Sequence, residues 1–375
     1  MALSRPRLIG WSLAAATVLV IVVGILVLSL RLQSRQNAIR ALDAIEETGV
    51  PLGPVHLGDD RTGNANIGVS VEMELRGPSW LRNVLGDQRS REWLDEPVGV
   101  NLYGTVADDD DLRHLQALPS VSEVWIGKGC RVTNAGLGRL RTLPALETLS
   151  LTQFGVTNEG LAQVGTLSQL TELSLEYGQF TDDGLAQLRP LTRLRTLSLA
   201  ATSLTDIGLT HVAQLSALED LNLSLTPQVT GTGFAELTRL PRLHTLILRE
   251  VPLSATGWKC LGQLSHLRLL DLHATGVSGE ALQHVGTLTE LETLLLDGNV
   301  ITDDGLEWIV ALPRLERLDL SGTRVSDDGL ERLAEMPALR VVDVQRTAVT
   351  AEGAEAVQSR YPDLAIVLSP PAGVP

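Results

Sequence analysis

Cysteine is nearly absent from this chain of 375 residues: Cys130 and Cys260 stand alone, with no CxxC pair. That excludes a disulfide framework and a thiolate metal site of the usual spacing. Aromatic side chains are scarce as well, at 3% against 44% hydrophobic residues overall. A core must then be aliphatic, and leucine is plainly its filler. Positive charge is also in short supply, since the formal net charge is −15. Arg5, Arg7, Arg31, Arg35 and Arg40 have no acid among them in residues 1–40, so the rest of the chain is more acidic still. Phosphate binding needs a basic face, which argues against a nucleic-acid partner. Catalytic signatures are missing too: there is no G-x-S-x-G, no P-loop and no H-E-x-x-H. Gly231-Thr232-Gly233-Phe234-Ala235-Glu236 opens like a dinucleotide fingerprint but lacks the third glycine. The expectation is a protein that is not an enzyme and carries no cofactor or metal.

One long apolar run is present. Leu8 to Leu30 contains no charge, and at about 1.5 Å per residue a helix there reaches roughly 34 Å, enough to cross a bilayer core. A cleaved signal peptide has a shorter apolar region ending in small residues, whereas this run meets Leu30-Arg31-Leu32. The reading is a single-pass anchor over 8–30, preceded by a short basic tail over 1–7 and followed by a juxtamembrane helix over 31–48. Basic residues flank both ends of the span. The short tail favours an inside amino terminus, with the large domain outside the cytoplasm.

The remainder is self-similar. A glycine column stands at Gly136, Gly160, Gly184, Gly208, Gly233, Gly257, Gly305, Gly329 and Gly353, with Asp111 and Ala281 filling the same place in two further units. The spacing is 24 residues, or 25 between 111 and 136 and between 208 and 233, giving eleven repeats. Each unit alternates two patterns. Apolar pairs two apart, such as Leu173/Leu175, Leu197/Leu199 and Leu221/Leu223, predict short strands with one buried face. Runs such as Thr181-Asp182-Asp183-Gly184-Leu185, continued by Leu188 and Leu191, predict short helices with an apolar stripe. Three residues before the glycine column stand Thr133, Thr157, Thr181, Thr205, Thr230, Ser254, Ser278, Thr302, Ser326 and Thr350. Their side-chain oxygens are expected to cap the helix starts. Asp111 and Ala281 share the glycine column, so close approach of neighbouring helices explains it better than a left-handed turn, and ordinary helical φ is expected there. Units of this size cannot bury their own apolar faces and must stack. The two cysteines, five repeats apart, are then about 24 Å from each other and cannot pair.

The pattern L-x-x-L-x-L-x-x-T-x-x-T-D-x-G-L over residues 98–368 resembles the leucine-rich repeats of bacterial proteins, and is similar to those of eukaryotic F-box proteins. The resemblance implies an α/β solenoid: a curved parallel ribbon inside, short helices outside. Ala38-Ile39-Arg40-Ala41-Leu42-Asp43 and Gly77-Pro78-Ser79-Trp80-Leu81-Arg82, after an apolar anchor, resemble planctomycete membrane proteins of this class. Thr105, Thr202, Thr226, Thr275, Thr323 and Thr347 stand where such repeats usually have Asn or Cys after the strand, and Asn299 keeps the Asn. A Thr hydroxyl can still satisfy loop backbone groups.

Residues 49–97 contain a strand-like stretch over 69–75 and a spaced set, Trp80, Leu81, Leu85, Trp93 and Leu94, expected to cap the open end of the first repeat; a disordered linker is the alternative. Residues 369–375 read as a disordered tail. Asp108 to Asp111 is either a capped helix start or a calcium loop, the latter needing six or more converging oxygens. Strand residues between the buried pairs point to the other face of the ribbon. That concave face is the candidate binding surface, through Tyr103, Trp125, Asn222, Ile247, Arg249, Asp271, His273, Asp297, Arg317, Asp319 and Asp343, with Ile247 and Leu295 expected to be exposed. A solvated face that binds nothing is the rival. The functional expectation is a membrane-tethered module binding a protein or peptide; an envelope spacer and, through the F-box resemblance, the recognition arm of a ubiquitin-ligase complex are the alternatives.

Overall fold

A computed structural model of the chain describes residues 56–57, 70–74 and 96–369. The tail over 1–7, the anchor over 8–30, the helix over 31–48, the capping side chains Trp80, Leu81, Leu85, Trp93 and Leu94, and residues 370–375 lie outside the described residues. Among the described residues no helix is long and apolar enough to cross a membrane.

Among the described residues fourteen strands form one sheet in strict chain order. The first three are β1 (His56–Leu57), β2 (Ser70–Glu74) and β3 (Glu96–Asn101). One short strand per repeat follows: β4 (Glu123–Trp125), β5 (Thr148–Ser150), β6 (Glu172–Ser174), β7 (Thr196–Ser198), β8 (Asp220–Asn222), β9 (Thr245–Ile247), β10 (Leu269–Asp271), β11 (Thr293–Leu295), β12 (Arg317–Asp319), β13 (Val341–Asp343) and β14 (Ala365–Val367). From β3 to β14 every neighbour is parallel, whereas β2 runs antiparallel to β3. The spine is in register: Leu173 pairs with Leu197 and Leu197 with Leu221, all at most 2% exposed. Alternation puts each such leucine inward, where full burial contributes about 1.5–3 kcal/mol. Helical turns of three to ten residues, several of them 3-10 as in Gly136–Thr142 and Asp303–Trp308, pack behind the strands. The architecture is a solenoid of stacked strand-and-helix units with a leucine-lined core.

The turn leaving each strand has its own chemistry. Gly104, Gly129, Gln153, Tyr177, Ala201, Leu225, Glu250, Ala274, Gly298, Gly322 and Arg346 all have positive φ, although seven of them are not glycine. All but Gly129 aim the N–H at the next rung, as in Ala201 to the Ser224 carbonyl at 2.8 Å and Leu225 to the Arg249 carbonyl at 2.8 Å. The ladder thus runs past the strand ends, and each bond offsets part of the strain of about 1–2 kcal/mol that an L residue bears there. One residue later, Thr202, Thr226, Thr323 and Thr347 donate to a carbonyl of their own repeat at 2.6–2.7 Å. Thr can satisfy one rung only. Asn299 reaches further: its amide donates to the Leu272 and Leu296 carbonyls, and its oxygen accepts from Gly276 and Val277. Cys130 occupies the same column, and its thiol contacts the Leu102 carbonyl of the previous repeat at 2.9 Å.

At the helix starts the structure corrects the sequence reading. Thr133, Ser254 and Thr350 do accept from the glycine three residues on. At Thr157, Thr181, Ser278, Thr302 and Ser326 no cap bond forms. The Asp or Asn after the hydroxyl residue instead reaches forward to the next repeat. Asp109 takes both the N–H and the hydroxyl of Thr133, Asp182 those of Thr205, Asp206 those of Thr230, Asp303 those of Ser326 and Asp327 those of Thr350. Asn134 and Asn158 make the equivalent pair of bonds to Thr157 and Thr181.

This relay accounts for the glycine column. None of its members has positive φ. A Cβ on Gly136, Gly160, Gly184, Gly208, Gly329 or Gly353 would fall inside the van der Waals shell of the preceding repeat's Asp or Asn side chain. Close approach was the right reason, with a relaying side chain in the gap. The exception fits: Ala281 follows the repeat in which Ala255 replaces the acid.

Candidate functional site

The ribbon face carries the eleven candidate residues, and their surroundings differ. Arg249 and Arg317 are exposed, Tyr103 is 36% exposed, and Trp125, Asn222, Ile247, His273, Asp297, Asp319 and Asp343 are half-buried. Ile247 and Leu295 prove half-buried rather than exposed, because flanking rungs lie close on both sides.

Several candidates are first of all turn formers. The side-chain oxygens of Asn101, Asn222, Asp271, Asp319 and Asp343 each accept from the backbone N–H two residues on, at 2.9–3.0 Å. A short acceptor at that position sets the chain for the left-handed residue that follows. Asp271 is the most committed. It is 3% exposed, and its second oxygen receives the Arg249 Nε at 2.6 Å. That bond chiefly holds the Arg249 guanidinium above its usual pKa, against the opposing effect of burial, with Asp297 and Asp319 adding to it. Asp271 therefore positions Arg249. One rung on, His273 Nδ1 meets Asp297 Oδ2 at 2.5 Å. The Asp343 pKa is raised from its usual value, first by burial and then by repulsion from Asp319, although the Gln345 N–H, Arg317 and Arg346 oppose this.

The other half of the ribbon is hydroxyl-rich and carries the acids Glu172 and Glu176. Ser150 bonds Thr152 at 3.0 Å, Thr152 bonds Ser174 at 3.3 Å, and Ser198 donates to Glu176 at 2.8 Å. The Tyr103 ring lies over Gly127, where a Cβ would collide with it, and its hydroxyl donates to Gln153 at 2.9 Å. Two exposed residues that the strand pattern passed over complete this rim: Tyr177 at 48% and Leu225 at 41%. Both are left-handed turn residues. The signal that could have found them is the glycine of Gly104, Gly129, Gly298 and Gly322 in the same column.

Two motifs resolve into internal bonding. Asp108 accepts from Asp110 and Asp111 while Asp111 accepts from Asp108, a reciprocal cap, and Asp109 serves the next repeat. Among the described residues no group of three or more His, Cys, Asp or Glu could hold a metal ion. The Gly231 turn is a nest of N–H groups of the type that holds anions, and Asp206 fills it, accepting from Thr230, Gly231 and Gly233. Burial alone would raise the Asp206 pKa; the bonds from Thr230 and Gly233 outweigh it and hold the carboxyl below its usual value.

In comparisons with known proteins, a leucine-rich-repeat family profile matches residues 312–334. A search of curated protein sequences returned no match. Among solved structures, an internalin from Listeria monocytogenes is 22% identical, covers 60% of this chain and 68% of its own, and has a TM-score of 0.46. A leucine-rich-repeat protein from Leptospira interrogans is 20% identical, covers 68% of this chain and 74% of its own, and has a TM-score of 0.43.

Proposed function

We propose that this protein is a membrane-tethered interaction module that presents its ribbon face, the concave side of the solenoid, to a protein partner. Stacked repeats offer an extended surface of this kind, and the sequence supplies no acid, base and nucleophile set. The observation that carries the reading is the charge balance from β10 to β13. Asp271, Asp297, Asp319 and Asp343 face Arg249 and Arg317, and Asp343 has a raised pKa because the local cations do not offset its burial and the repulsion from Asp319. A cationic side chain arriving at Asp319 and Asp343 would relieve that repulsion. The partner segment is therefore basic over the carboxyl-terminal rungs. Over β3 to β8 it meets Tyr103, Trp125 and Tyr177, residue types suited to anchoring, beside the exposed Leu225. The tether is the uncharged run over 8–30, with the solenoid outside the cytoplasm.

Crosslinking in native membranes, read by mass spectrometry, tests this in two arms. A partner recovered with the unaltered chain should be lost with Asp319→Lys/Asp343→Lys and retained with Glu331→Lys/Glu335→Lys on the helix side. Retention with the ribbon variant ends the proposal. Protease protection of the carboxyl terminus in intact spheroplasts would overturn the orientation alone.

A further inference from the structure

We propose that the solenoid has a built-in hinge: its helix side between Ser254 and Thr302 opens and closes about the hydrogen-bonded ribbon as pivot. At most junctions the side-chain relay clamps adjacent helix starts together. It lapses in consecutive repeats, where Gly231, Ala255 and Gly279 stand in the acid column. The first lapse is partly made good, because Ser254 bonds the Thr230 carbonyl through both its N–H and its hydroxyl. The next two are not. Neither Ser278 nor Thr302 donates its N–H or hydroxyl to any group among the described residues. One bond crosses the first of these junctions at the far end of the helices, from Thr287 to the Gly262 carbonyl at 2.9 Å.

The ribbon side keeps its full set of bonds over the same rungs. Leu248 donates to Asp271, Leu272 to Leu295 and Leu296 to Asp319, at 2.8–2.9 Å. Asn299 adds bonds to both repeats that it joins, to Gly276 and Leu272 of the one and Leu296 of the other. What remains behind the ribbon is contact without hydrogen bonds: the side chains of Leu261, Leu282 and Leu306, each 0% exposed, and close backbone approaches of Gly279 to Gly305 and of Gly286 to the Trp308 carbonyl. Such contact is non-directional and tolerates sliding, whereas a carboxylate bonded to both N–H and hydroxyl fixes distance and angle. Strain on the solenoid therefore concentrates at these two junctions. The inference does not depend on what the ribbon binds.

Amide hydrogen exchange of the full chain, resolved by mass spectrometry, is the test. Helices Ala255–Leu261 and Gly279–Val285 should exchange about tenfold or more faster than Asp327–Ala334, the factor expected from losing one charge-assisted contact. Gly279→Asp installs a carboxylate opposite Thr302. There is room, since the nearest atom to a Cβ at 279 is the Gly305 Cα at 3.4 Å. This variant should slow exchange over 279–306 and leave 158–164 unchanged. Asp182→Ala should create a new fast segment over 205–212. Uniform protection across internal repeats would overturn the hinge, as would a folded Gly279→Asp that exchanges like the parent. If Gly279→Asp does not fold, Asp182→Ala decides: no new fast segment means that the relay does not control stiffness.

Discussion

Gly208→Ala and Gly305→Ala are chemically the same change in the same column, yet the relay predicts opposite outcomes. A methyl at 208 enters the space of the Asp182 carboxylate and presses on Leu204 Cδ1, a mobile chain end. Eviction of the carboxylate breaks its bonds to the Thr205 N–H at 3.0 Å and the Thr205 hydroxyl at 2.6 Å. Hydrogen bonds to a charged group contribute about 1.5–3 kcal/mol, so the half-buried pair together is taken at about 2–3 kcal/mol. Alanine returns about 1 kcal/mol through helix propensity and a less flexible unfolded chain. Gly208→Ala should therefore destabilise by about 1–2 kcal/mol. At 305 the nearest atom to the added methyl is the Gly279 Cα at 3.3 Å, and no acid precedes it. A shift of a few tenths of an ångström accommodates it, and the variant should be neutral or up to about 1 kcal/mol more stable. Guanidinium unfolding followed by circular dichroism measures both. The double variant Asp182→Ala/Gly208→Ala makes the test sharper, because once the carboxylate is gone the methyl has nothing to evict. A coupling of about 2 kcal/mol is expected between the two positions. Equal effects at 208 and 305 within about 0.5 kcal/mol, or additive behaviour in the double variant, would refute the relay as the reason for the glycine column.

The same reasoning extends to other columns. Asp206 has a folded pKa below its unfolded value, so its stabilisation is complete above the ordinary carboxylate range and is lost as pH falls through the lowered value. Asp206→Asn should accordingly cost about 2–3 kcal/mol near neutral pH, with a gap from the parent that narrows below about pH 4, measured by denaturant titration at several pH values. Ala201→Gly should stabilise by about 0.5–1 kcal/mol, since relief of left-handed strain exceeds the added chain entropy, whereas Gly322→Ala should destabilise by a similar amount; melting temperatures of the pair check both signs. Asn299→Ala should destabilise by about 1–3 kcal/mol, because it leaves the buried Val277 N–H without its partner, while the Leu272 carbonyl keeps Thr275 as donor, and Asn299→Thr should recover only the bond to Leu296.

What the sequence made legible was whatever one repeat can state by itself. Leucine periodicity gave the strands, their inward face and their register, since a slip by one residue would turn Leu173, Leu197 and Leu221 to the ribbon face. The glycine column was readable as close approach because Ala281 and Asp111 share it. Contacts that leave the repeat were harder to see. Thr205 next to Asp206 looks like a helix start closing on itself, and the local spacing holds no sign that Asp206 serves Thr230 or that Thr205 is served by Asp182. The left-handed column was hidden for a different reason. Only four of its residues are glycine, because the bonds from their N–H groups to the next rung let Tyr177 and Leu225 stay in a conformation that they would avoid alone. On the ribbon face, Asp271, Asp319 and Asp343 looked like surface charge, yet each also shapes the turn after its strand.

These two layers of bonding divide the solenoid's mechanics. The ribbon ladder and its turn residues repeat in almost every unit, whatever the side chains, because they are built from backbone. The helix-side relay is built from side chains and is therefore open to change one repeat at a time: a single Asp-to-Ala change in one unit removes a clamp and frees the glycine of the next to become alanine. Ala255 and Ala281 are the two halves of such an exchange. A stretch of the solenoid can thus become softer without any loss of burial, as the fully buried leucines behind β10 and β11 show, and curvature can vary along the chain while the ribbon face keeps its register.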